Sequence, residues 1–237
     1  KLFGINAELL IDHAWGWEPC TIAEIKSYKP ENNSICSGQV LQCPYTFEKT
    51  RIVVREMAEM MALDLVDKGM VTDQMVLTVG YDIENLSDPV IRKAYKGEIT
   101  IDRYGRSVPK HSHGTQNLSE FTNSTYEIIE NTLKLYDRII NRDLLIRRIT
   151  LTANHIKKEQ DIVQKETYEQ LDLFTDYAAV EKEKQEKEEK LQKEKKLQHA
   201  MLEIKKKYGK NAILKGTNFE EGATSIDRNQ RIGGHKA

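Results

Sequence analysis

Apolar and polar positions along the chain follow two periods, and the switches between them predict the elements. Val54, Ala58, Met61 and Leu65 recur at intervals of 4, 3 and 4, one face of an amphipathic helix from Phe47 to Asp67. In "MVLTVGY" (75 to 81) the period falls to two. Met75, Leu77, Val79 and Tyr81 stand on one side and Val76, Thr78 and Gly80 on the other, as in a strand with one buried face. A second helix opens at Ser124, where Ser124 and Glu127 form an S-x-x-E capping box. Ile129, Leu133, Tyr136 and Ile140 supply its stripe, and it closes near "NRD". "IRRITLTANHI" (146 to 156) alternates again, with Arg147, Ile149, Leu151 and Ala153 on one face and Arg148, Thr150, Thr152 and Asn154 on the other. "SICSGQVLQ" (34 to 42) and "KHSHGTQNL" (110 to 118) complete the strands, and residues 83 to 109 form an excursion with a hairpin around Tyr104 and Gly105.

The resulting order is strand, helix, strand, strand, helix, strand. A βαββαβ chain of this kind is α+β, a four-stranded sheet with two helices on one face and the other face open. Before it, "NAELLIDHAWGW" predicts a short helix with Leu9, Leu10 and Ala14 on one face and Gly16 ending it. After it, residues 178 to 208 are helix-prone and charged, with Glu183 and Lys187, Glu186 and Lys190, and Glu189 and Lys193 in the favourable i, i+4 order. The first half of that helix has no apolar stripe and is expected to be solvated. Leu197, Met201, Ile204 and Tyr208 are placed to dock, and the glycine-rich end is expected to be flexible.

Composition sharpens this picture in three ways. The formal net charge is −1, so no global basic field announces a nucleic-acid partner, and any such contact must be a local patch. Cys20, Cys36 and Cys43 form neither a CxxC pair nor a dense framework, which points to a reducing, cytoplasmic setting. No apolar run is long enough for a membrane span and no export signal is present. A first residue of Lys1 rather than Met suggests a piece of a longer chain.

The segments "NSICSGQVL", "DRYGRSVPKHSHGTQNL", "LLIRRITLTANHI" and "QLDLF" together resemble the C-terminal part of a Y-family translesion DNA polymerase of the UmuC-like branch. "FGINAELLIDHAWGWEP" is similar to the end of that family's thumb, with Glu18 in place of the usual Asp. The resemblance implies a partial thumb at 1 to 28, a little finger at 29 to 156, a linker with a clamp-binding motif at 157 to 177, and a charged tail at 178 to 237. It also implies primer-template duplex DNA and the bacterial β sliding clamp as partners, and a cytoplasmic, nucleoid-associated site of action in DNA repair. The metal-binding palm precedes the thumb in this family, so no catalytic residue and no cofactor is expected in this chain, Mg²⁺ belonging to the palm alone. The chain by itself is expected to be inactive. "SID" at Ser225 to Asp227 is no substitute for palm carboxylates, which need a rigid hairpin.

Candidate DNA contacts are Arg147, Arg148, Thr150, Thr152, Asn154 and Thr78. Arg148 is favoured because it shares a face with Thr150, Thr152 and Asn154 and that face lacks apolar cover, whereas alternation turns Arg147 toward the helices unless a twisted or bulged strand end brings both arginines to the DNA. His111 and His113 make an H-x-H pair without a third ligand, and are expected to be polar strand residues and no metal site. In "QLDLF", Gln170, Leu171, Leu173 and Phe174 match the clamp-binding pentapeptide Q-L-x-L-F, with the apolar anchors filling a pocket. Two other readings compete. An RNA-binding module of RRM-like topology stacks bases on strand aromatics, which "LLIRRITLTANHI" lacks. A helical scaffold needs sustained apolar heptads, which "EKEKQEKEEK" lacks.

Overall fold

The computed structural model describes residues 6–18, 20–28, 33–87, 89–102, 104–162, 177–232 and 235–236. The chain divides into two compact units, Lys1–Asn32 and Asn33–Ala237. In the first, α1 (Asn6–Ala14) ends where Gly16 takes a φ of +76°, a conformation open to a residue without a Cβ. A second helix that periodicity did not reveal, α2 (Ile22–Ser27), is started by Thr21, whose side chain accepts from the Glu24 N–H while Glu24 reaches back to the Thr21 N–H. Leu9 and Leu10 remain about half exposed.

The second unit opens with β1 (Ile35–Tyr45), α3 (Phe47–Asp67) and β2 (Met70–Tyr81). The excursion contributes α4 (Pro89–Ala94) and a hairpin of β3 (Ile99–Ile101) and β4 (Ser107–Pro109). Then come β5 (Ser112–Thr122), α5 (Thr125–Ile139) and β6 (Ile146–Asn154), giving the expected βαββαβ core. The strands are antiparallel in the order β1-β6-β2-β5. Each strand is a few residues longer at one end than its alternation predicted, except β6, which stops at Asn154. Segment 157 to 162, expected as linker, instead adds β7 (Lys157–Lys158) to the start of β2 and a short 3₁₀ turn.

Helices α3 and α5 cover one sheet face. Val53, Val54, Met57, Ala58, Met61 and Leu65 of α3 meet Met75, Leu77 and Val79 of β2 and Ile149, Leu151 and Ala153 of β6 in a single core. Burial of each large side chain there contributes roughly 1.5–3 kcal/mol. Gly114 on β5 lets α5 approach, since a Cβ there would lie 2.9 Å from both Ile139 and Leu135. Tyr136 is wholly buried and its hydroxyl donates to the Phe47 carbonyl at 2.9 Å. Burial also pushes its phenol well above the ordinary range.

The tail is the largest departure from the sequence reading. Helix α6 (Tyr177–Tyr208) has exposed side chains from 185 to 190, where solvation was expected, then docks through Gln198 and Met201. Gln198 donates to the Asn123 carbonyl and to Thr125 Oγ1, while Leu197 and Tyr208, placed to dock by spacing, stay largely exposed. The expected capping box of α5 is only half made. Ser124 Oγ accepts from the Glu127 N–H, but the Ser124 N–H donates to Thr122 Oγ1 instead of to Glu127, and Glu194 of α6 joins the cap by accepting from Ser124 Oγ and the Tyr126 N–H. Beyond α6 the glycine-rich segment, expected to be flexible, is ordered through Arg231 and carries α7 (Ser225–Asn229). The cause is Glu56, buried on α3, whose carboxylate accepts from Asn218 Nδ2, the Thr224 N–H and Oγ1, and the Ser225 N–H. Arg228 reaches Ser37 and Gln39 on the helix side of β1, an edge strand of the sheet. The "SID" triplet is thus the start of α7, bound to Glu56 through the Ser225 backbone.

Candidate nucleic-acid interface

On the open face the register sets side chains in rows that cross the strands. One row holds Gly38, Thr150, Thr78 and His113, with Thr78 Oγ1 2.8 Å from His113 Nδ1. The next toward the hairpin holds Val40, Arg148 and Gly80. On the other side stand Cys36, Thr152, Val76 and Thr115, then Asn154, Gln74 and Asn117. No carboxylate and no Phe, Tyr or Trp occurs in these rows, and their single aromatic ring is the His113 imidazole. Neither Gly38 nor Gly80 is required by packing. A Cβ at Gly38 would meet nothing nearer than 3.9 Å, and at Gly80 only Arg148 Cβ at 3.4 Å. Glycine weakens a strand interior, and where the fold does not demand it, it leaves room for another backbone to approach.

Of the six residues singled out for DNA contact, Arg148, Thr150, Thr152, Asn154 and Thr78 share this face. Arg148 is exposed, and the others are half-buried. Arg147 requires a correction. The pairing of β6 with β2 shifts register between Gly80 and Tyr81, opposite Arg148 and Ile146, so Arg147 is the extra residue of a β-bulge. Ile146, wholly buried, takes the helix-side position that alternation gave to Arg147. Arg147 turns instead into a cleft of about 630 Å³ between the sheet end and the hairpin, lined also by Arg148, His111, Asp82 and Tyr104. There its guanidinium lies 3.7 Å from Asp82, whose side chain is only 8% exposed. A bulge leaves no mark on an "IRRIT" alternation, so the sequence could offer a bulged strand end only as an alternative and could not place it.

The hairpin wall of the cleft is fixed by Asp102, which accepts from the Tyr104 and Arg106 N–H groups and from the Arg106 guanidinium. The Arg106 side chain, then these backbone bonds, hold the Asp102 carboxyl down at about 2. His113 is committed to Thr78, and His111 lies outside the strand. Among the described residues no group of three or more His, Cys, Asp or Glu is placed to hold a metal ion. Gln170, Leu171, Leu173 and Phe174 lie outside the described residues. No helix among the described residues is long and apolar enough to cross a membrane.

Residues 32–173, more than half of the chain, match the impB/mucB/samB family C-terminal domain. The chain belongs to this family. No curated protein matches it. The impB/mucB/samB match covers the whole βαββαβ core and makes the chain a C-terminal region of a UmuC-like Y-family polymerase, a family of DNA damage tolerance. It ends at Leu173, one residue short of the end of the pentapeptide from which the clamp-binding expectation arose, while helix α6 and the Glu56-bound segment lie beyond it.

Proposed function

We propose that this impB/mucB/samB-family domain grips primer-template duplex DNA with its open sheet face, along the phosphate backbone and without reading bases. The observation that carries the reading is the composition of the rows: hydroxyls, amides, two glycines and the exposed Arg148, with no carboxylate to repel a polyanion. Side chains of these kinds, with backbone N–H groups, bind phosphate oxygens and position a protein without specifying sequence. The same rows hold no Phe, Tyr or Trp, and their one ring, His113, is hydrogen-bonded to Thr78 on edge strand β5, which disfavours base stacking of the RRM kind. The role that fits is to hold the polymerase on DNA at damage, in a cytoplasmic, nucleoid-associated setting.

Recruitment to the β sliding clamp is the second part of the proposal and rests on the pentapeptide at residues 170 to 174. Leu173 and Phe174 would fill an apolar pocket, each contributing up to roughly 1.5–3 kcal/mol by burial. Gln170 would orient the peptide by hydrogen bonds, and Leu171 would complete the match.

Fluorescence anisotropy on two unrelated duplexes across a salt series tests the DNA reading. Affinity should be nearly equal on both sequences and fall with salt, with a log-log slope of about 0.9 per phosphate neutralised. A salt-independent affinity, or strong preference for one sequence, would overturn it. Titration calorimetry with the sliding clamp tests the second part. Leu173→Ala with Phe174→Ala should abolish binding, and an unchanged affinity would remove the motif from the account.

A further inference from the structure

One row of the open face is wired together by its own side chains. Asn154 Nδ2 donates to Gln74 Oε1 at 3.0 Å, and Gln74 Nε2 donates to Asn117 Oδ1 at 2.9 Å, so three amides on β6, β2 and β5 form one chain of hydrogen bonds. A core does not need such a chain, because Asn117 is exposed and the other two are half-buried on the sheet face opposite α3 and α5. Its effect is directional. The Gln74 amide accepts on one side and donates on the other, which fixes the O and N ends of both neighbours. Asn117 spends its carbonyl on Gln74 and keeps both Nδ2 protons, while Asn154 spends one Nδ2 proton and keeps the second. The unspent groups on both flanks therefore include donors.

We propose that Gln74 is a positioning residue that aligns Asn154 and Asn117 as neutral donors to a sugar-phosphate backbone, extending the nucleic-acid surface across the sheet to β5. The proposal rests on the DNA reading above and adds two residues to it, Gln74 and Asn117. The row lies on the same face as Arg148 but toward the opposite end of β6. With strands about 4.8 Å apart and rows of like-facing residues roughly 7 Å apart, the rows offer contacts over an area wider than Arg148 alone can serve. Neutral donors hold a phosphate without releasing further counterions, so this row should influence affinity and leave the salt dependence to the arginines.

Anisotropy on one duplex at several salt concentrations tests this with the full chain. Gln74→Ala should weaken binding by roughly three- to tenfold at every salt concentration, the loss of one or two neutral hydrogen bonds, with the log-log slope unchanged. Gln74→Glu should weaken it further. A carboxylate cannot donate to Asn117, so the Asn117 amide turns its donors inward, and a negative charge enters the face. Asn117→Ala, at an exposed edge-strand site that does not threaten folding, should reproduce the loss of Gln74→Ala. Combining it with Gln74→Ala should add little, because the two act in one chain. If the parent binds and both single variants bind like it while melting at lower temperature, the chain merely ties the strands and the proposal is wrong. A parent that binds no duplex removes the underlying reading and the proposal with it, and that outcome is visible before any variant is made.

Discussion

At the scale of single residues, Arg147 and Arg148 are neighbours in sequence with different work to do, and the bulge separates them. Arg148 is exposed and lies on the open face, so Arg148→Ala should reduce the salt slope of DNA binding by about one unit, equally on all sequences, and leave the melting temperature near that of the parent. Arg147 faces a nearly buried Asp82. Arg147→Ala should therefore change the slope less, since its charge is already partly balanced, but should lower the melting temperature by leaving that carboxylate without a counter-charge. Anisotropy and thermal melts of the two variants decide between this assignment and its reverse. The alternation of "IRRITLTAN" disclosed the polar face and the apolar face, because seven of its positions obey a period of two. It did not disclose the bulge, since inserting one residue changes which arginine faces which side without changing composition. Asp102 supplies a pH-dependent test. A depressed carboxyl favours the folded hairpin above its unfolded value of 3.8, and that preference is lost as pH falls through about 2. Arg106→Ala should return the Asp102 midpoint toward 3.8 in an NMR titration of its carboxyl carbon, and an unmoved midpoint would show that the backbone bonds alone depress it.

Among elements, the six of the core were legible because each buries a face against the others, and burial of a face requires periodicity. Helix α5 shows where that legibility stops. Its stripe and its start at Ser124 could be read locally, but the carboxylate closing its cap comes from Glu194, 70 residues away from Ser124. The ordered end of the tail is the same lesson in stronger form. Gly, Thr and Ser in "KGTNFEEGATSID" suggest a flexible segment, yet Glu56 organises it through bonds that span up to 169 residues. Since these contacts are polar and Ser225 is the only residue of the segment buried below the surface, the segment should open independently of the core. Glu56→Ala should expose Lys210, Lys215 and Arg228 to trypsin at rates well above those of the parent, while the sheet core remains resistant. A tail as protected as the parent's would mean that Glu56 does not hold it. Leu135→Ala, by contrast, should destabilise the whole unit by about 2–5 kcal/mol in denaturant unfolding, because Leu135 is fully buried against the sheet and Gly114 leaves its neighbourhood tightly packed.

For the whole molecule, the two faces of the sheet have opposite fates. One carries α3 and α5 and, along β1, the segment held by Glu56, so it is committed to stability. The other, opposite those helices, carries rows of mainly polar side chains and two glycines, with Val40 and Val76 among them, and is the face proposed for binding. Sequence periodicity reaches this division, and the match to the impB/mucB/samB C-terminal domain supplies the family in which to place it.

The most direct test of the open face as the DNA grip is amide chemical-shift mapping during titration with a short primer-template duplex. The account predicts that shifts move at Gly38, Thr78, Gly80, Arg148, Thr150 and Thr152, fade toward the α3 side, and leave Thr224 and Ser225 unmoved. Perturbations concentrated on α3, α6 and α7, with the rows of the open face silent, would contradict it.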